Sequence, residues 1–142
     1  MNSLDRHQGK VVSLFRIVVG LLFACHGASK LLGFPSSGMS GHAPELFSFP
    51  GWWAAIIELV GGLLVLVGLA TRTAAVICSG AMAYAYFSVH QSTGTWPIQN
   101  KGEAAALYSW AFLLIAFIGP GEWALSRFLG KQEERQRVPA RG

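Results

Sequence analysis

Arg16, His26, Lys30, Glu58, His90 and Glu103 stand inside or at the rims of stretches otherwise apolar enough to cross a membrane. Charge is expensive in hydrocarbon, so a chain that keeps it there pairs it, hydrates it or uses it. Imidazoles, carboxylates and an ammonium are the groups that proton relay and stabilisation of a developing anion require. Gathered at one depth, His26, Glu58 and His90 are the candidate catalytic residues, and Lys30, Glu103 and Asn100 the candidate substrate-binding ones. Arg16 and Arg72 are read as structural. The same two histidines and two carboxylates could ligate a transition metal, but their spacing within each helix is no recognised ligand motif. That reading ranks lowest and no metal ligand is assigned.

Each residue also has a plain structural reading. Lys30 can snorkel to the interface, and Arg16 can snorkel to headgroups or pair internally. Glu103 can complement a helix dipole, and His90 can donate to a carbonyl. Glu58 resists such a reading: it is too short to snorkel far and has no cation in its own span. It needs Lys30, a histidine or a proton.

The elements that must position these groups are apolar helices. Of 142 residues, 52% are apolar and only 13% charged, with mean hydropathy +0.42, whereas soluble domains carry roughly 25% charged residues. Four runs, Val11–Leu32, Gly51–Ala70, Thr73–Ser92 and Gly102–Gly119, each approach the ~20 residues that cross ~30 Å of hydrocarbon. The expected fold is all-α, a four-transmembrane-helix antiparallel bundle. Residues 1–10 form an N-terminal segment, 11–128 the membrane domain and 129–142 a basic tail.

Setting Arg16 aside, seven of the 11 Lys and Arg residues lie near the termini and an eighth, Arg72, in the turn between the second and third runs, against Lys30 and Lys101 on the other side. The positive-inside rule therefore places both termini in the cytoplasm and the protein, multi-pass, in a bacterial inner or plasma membrane. The pI near 9.4 is explained by topology and anionic headgroups, and nothing resembles a nucleic-acid module. Arg6 and Lys10 before an apolar run, with Leu22-Phe23-Ala24-Cys25, approach a lipoprotein signal. The run continues helically to Leu32, so it is read as a retained span. Cys25 and Cys78 would differ in depth by roughly 13 Å, beyond the about 7 Å that a disulfide tolerates. Both are read as small buried residues, with a redox role for Cys25 a minor alternative.

Gly20, Ala24 and Ala28, then Gly61, Gly62 and Gly68, then Ala75, Ser79 and Ala83 form ridges of the small residues that let membrane helices approach. Such a bundle brings His26, Lys30, Glu58, His90 and Glu103 to its outer half.

The sequence resembles the DoxX family of small four-helix membrane proteins of bacteria and archaea. The likeness rests on Arg16, Gly20, Phe23, His26-Gly27, Lys30-Leu31 and Gly33; on Glu58, Gly61-Gly62, Gly68 and Thr71-Arg72; and on His90 and Asn100-Lys101-Gly102-Glu103. It covers roughly Leu14 to Phe128. Near the end Gly119-Pro120-Gly121 is kept, but Ala124-Leu125-Ser126 replaces the family's frequent Ser-Leu-Asp. The resemblance implies a link to a quinone-reducing thiosulfate oxidoreductase and to membrane redox complexes containing partner enzymes.

Two functions follow as expectations. One is a redox membrane subunit binding a quinone in the outer-half pocket, with electrons from a partner, since no flavin fingerprint, CxxC or haem motif is present. The other is a non-catalytic scaffold that docks a soluble redox or stress-response enzyme on the tail from Lys131 to Arg141. Lipid is a partner in both, and homo-oligomerisation is left open.

Overall fold

A computed structural model describes residues 5–35 and 43–130. Most of the basic tail and positions 36–42 of the first long loop lie outside them. Among the described residues all regular structure is helical.

Helix α1 (Gln8–Leu32) runs unbroken through Cys25 and closes where the Gly33 N–H donates to Ser29 O at 3.1 Å. With the preceding 3-10 turn it forms a 28-residue unit, Asp5–Leu32, long and apolar enough to cross a membrane. Helix α2 (Gly51–Val67) and helix α4 (Glu103–Ile118) are apolar but shorter. Two of the four runs seen in the sequence, Gly51–Ala70 and Gly102–Gly119, overstate helix length because they include residues that turn the chain. Gly68 and Ala70 are left-handed, with φ of 79° and 46°, and Gly119 ends α4. Helix α3 begins at Thr71, not Thr73, so Arg72 sits in its first turn; it is α-helical over Thr71–Ala85.

Two helices change pitch where they carry candidate residues. Within α2, Ile57–Gly61 is a π turn containing Glu58. Helix α3 continues from Ala85 into a π turn, Tyr86–His90, that ends on His90. One extra residue per turn rotates everything beyond it about the helix axis, and such bulges gather at functional sites.

Packing runs antiparallel from α1 to α2 and from α3 to α4. A Cβ on Gly20 would stand 2.6 Å from the Leu66 nitrogen, and one on Gly62 2.6 Å from the Ala24 nitrogen. Gly27 meets the backbone of Ala55 and Leu59 in the same way. The tightest contacts of α1 therefore fall at Gly20, Ala24 and Gly27, which share one helical face at i, i+4 and i+7. Between α3 and α4 two serines exchange hydrogen bonds: Ser79 Oγ donates to Ser109 O at 2.8 Å and Ser109 Oγ to Ser79 O at 3.1 Å. The core between these pairs holds Phe23, Val65, Cys78, Phe112 and Ile115. Ser79→Ala should cost about 1 kcal/mol or less in a detergent unfolding titration, the usual size of an interhelical hydrogen bond in a membrane protein.

Candidate functional site

Glu58 is buried, its side chain only 5% exposed, and Lys30 reaches it from α1 with Nζ 2.6 Å from Oε1. The other carboxyl oxygen, Oε2, is buried and has no hydrogen-bond partner among the described residues. A buried carboxylate without full pairing is costly, so this oxygen marks a place where polar chemistry is unfinished. Both residues line a cavity of about 590 Å³, which His90 also lines. Its remaining walls are largely apolar, including Phe49, Trp53, Ile57, Met82 and Val89.

The orientation of His90 follows from its neighbour. Its Nδ1 lies 3.0 Å from Asn100 O, and a carbonyl only accepts, so Nδ1 carries the hydrogen. In the neutral ring Nε2 is then an acceptor, with no protein partner among the described residues. Asn100 itself is buried and committed locally. Its Nδ2 donates to Gly94 O at 2.9 Å, and its Oδ1 accepts from the Gly102 N–H at 2.8 Å. These bonds hold the loop behind His90.

The expected convergence of all the ionisable groups is corrected in two respects. His26 is exposed and lines a separate cavity of about 580 Å³ between α1 and α4, its ring edge-on to Tyr108 with centroids 5.8 Å apart. The reason is periodicity: Phe15, Val19, Leu22 and His26 recur at i, i+4, i+7 and i+11, the face α1 turns toward α4. Lys30 leaves α1 close to that direction, yet its long stem bends back to Glu58. Glu103 is the first residue of α4, exposed beside a third depression with Pro97, Leu107 and Trp110. Among the described residues expected at the site, Lys30, Glu58 and His90 line one cavity.

Arg16 is fully buried and bonded entirely to carbonyls. Nε donates to Pro120 O at 2.8 Å, Nη2 to Trp123 O at 2.6 Å, and Nη1 to Val65 O and Leu66 O. It bonds carbonyls at the negative dipole end of α2, while tying down the segment after α4. Arg72 is exposed, and its Nη1 donates to Ala116 O at 2.7 Å and Phe117 O at 3.0 Å. Among the described residues no three His, Cys, Asp or Glu side chains gather in a metal-binding group. Cys25 and Cys78 are both free thiols. The π turns, the acceptor role of His90 and the Tyr108 contact escaped sequence reasoning, and no local sequence signal marks them.

The DoxX family profile matches residues 11–91. The chain belongs to the DoxX family. This DoxX protein is 42% identical over 132 residues, 88% of its own chain and 95% of the relative's, to an uncharacterized protein of Haemophilus influenzae. It is 31% identical to a Bacillus subtilis protein named "Putative oxidoreductase CatD", with 89% of this chain and 92% of that one covered. It is 28% identical to the Escherichia coli inner membrane protein YqjF, with 85% and 93% covered. No solved structure matches it. Family and relatives together make it an integral membrane protein.

Proposed function

We propose that this DoxX protein is the membrane subunit of a quinone-linked redox system, and that the cavity between α2 and α3 holds the quinone headgroup. The observation that carries the reading is Glu58: a buried carboxyl, paired on one oxygen and orphaned on the other, in the wall of an otherwise apolar cavity. Such a wall admits a flat hydrophobic ring while few polar groups fix its orientation. A quinone, when bound, supplies two-electron, two-proton chemistry, and electrons come from a partner enzyme. Glu58 takes up or releases a proton at Oε2, Lys30 balances the charge of the carboxylate, and His90 accepts from a hydroxyl of the reduced ring through Nε2. The name of the Bacillus subtilis relative points toward the same class of chemistry.

The topology belongs to this proposal. All four helices cross a bacterial plasma membrane with both termini in the cytoplasm, supported by their antiparallel contacts and the biased basic residues. Helices as short as α2 and α4 suit a span if the bilayer thins locally, with Trp52, Trp53 and Trp96 as interfacial anchors.

The test is a quinone titration of reconstituted protein, read by tryptophan fluorescence. Glu58→Gln should change quinone affinity about tenfold, roughly the 1.4 kcal/mol of one hydrogen bond, because the amide can donate to a ring carbonyl where the carboxylate cannot. His26→Ala should leave it unchanged, since that ring lines another cavity. Equal affinity in wild type and Glu58→Gln would end the redox-site proposal. It would leave the scaffold reading, in which Glu58 serves only helix register.

A further inference from the structure

We propose that the cavity binds the reduced, dihydroxy form of its aromatic ligand in preference to the oxidised, dicarbonyl form. This rests on the quinone-site reading and adds which redox state the resting protein takes up. The argument is a census of donors and acceptors. Glu58 Oε1 faces the Lys30 ammonium at 2.6 Å, and the orphaned Oε2 of a carboxylate paired in this way has only acceptor capacity. His90 has spent its hydrogen on the Asn100 carbonyl, so in the neutral ring Nε2 also only accepts. A dicarbonyl ring brings acceptors to both and satisfies neither. A dihydroxy ring brings one O–H to each.

The donors on the same wall do not reverse this. The side chain of Lys30 is 46% exposed and already bonded to Glu58. Trp53 and Tyr84 line the same wall, 46% and 47% exposed, and each offers a donor that a hydroxyl oxygen of a dihydroxy ring can accept as well as a carbonyl oxygen can. Oε2 itself is shielded. A small rotation of the carboxyl plane, or withdrawal of the half-exposed Lys30, brings an acceptor oxygen to the cavity that Glu58 lines. Both acceptors stand on π turns, Ile57–Gly61 and Tyr86–His90, and line one cavity.

The experiment compares three ring-matched probes on the full-length protein in anaerobic nanodiscs. They are tetramethylhydroquinone, tetramethylbenzoquinone and the hydroquinone's dimethyl ether. Full ring substitution blocks addition of the two free thiols. The expected result is hydroquinone binding at least tenfold tighter than either other probe, because a buried acceptor left unpaired costs about 1–3 kcal/mol. Glu58→Gln, which introduces an amide donor, should narrow or invert that preference. Equal or tighter binding of the benzoquinone, or of the ether, would overturn the inference while leaving the quinone-site reading intact. Binding of none of the three would remove both. Because the probe comparison needs no substitution, it decides the matter even if Glu58→Gln folds poorly.

Discussion

Replacing Arg16 with methionine should cost at least about 3 kcal/mol and leave little folded protein in a thermal melt in detergent. The guanidinium is wholly buried and donates to four carbonyls, those of Val65, Leu66, Pro120 and Trp123. Each buried acceptor left unpaired costs about 1–3 kcal/mol. Two elements come loose together, the end of α2 and the segment that crosses back after α4. Arg16→Lys should fare little better. A single ammonium is a point donor, whereas these carbonyls are met by a planar fork with five hydrogens. Arg72→Met is the control: its head is exposed, its two carbonyls can turn to water or headgroups, and about 1 kcal/mol or less should be lost. Equal melts for the Arg16→Met variant and wild type would mean that this network does not hold the helices together.

Gly27→Leu should have the next largest effect, and on ligand binding as well as stability. A Cβ at position 27 already collides with the Leu59 backbone and would lie 2.7 Å from the Ala55 carbonyl oxygen. Backbone cannot step aside as a flexible side chain can, so α1 and α2 must separate. Overpacking of this kind costs about 1–3 kcal/mol, and a clash with main chain belongs at the upper end. Lys30 lies one turn further along the same helix, so separation also pulls its ammonium from Glu58. Gly27→Leu should therefore abolish quinone binding even in the fraction that stays folded. Gly80→Ala is the matched control, because a Cβ there meets nothing within 4 Å; it should be neutral or slightly stabilising. If both variants melt and bind alike, the α1–α2 contact is looser than its geometry implies.

Much was legible from the residues themselves. Low charge and long apolar runs specify an all-helical membrane protein, because only a helix satisfies its own backbone in lipid. Gly68 and Gly119 end their helices where their backbone freedom suggests. A carboxylate as short as Glu58 must find a partner, and Lys30 is that partner. The motifs from Arg16 to Glu103 led to the family.

What the sequence left open is which helix each face meets. Periodicity gives the direction of a side chain about its own axis, and it says nothing about the neighbour in that direction. Hence His26 and Lys30, four residues apart, part company: a rigid imidazole stays with α4, and a flexible stem reaches back to α2. Pitch is equally hidden, because a π turn arises from packing on the rest of the bundle and leaves no local mark in the residues. Donor and acceptor roles depend on contacts across the loop, so His90 becomes an acceptor only once the Asn100 carbonyl stands against Nδ1. By itself, then, the sequence determined the kind of protein, the helices and the need of Glu58 for a counterion. Tertiary packing alone decided which polar groups share a cavity and which hydrogen bonds they still lack, because both are set by contacts between helices.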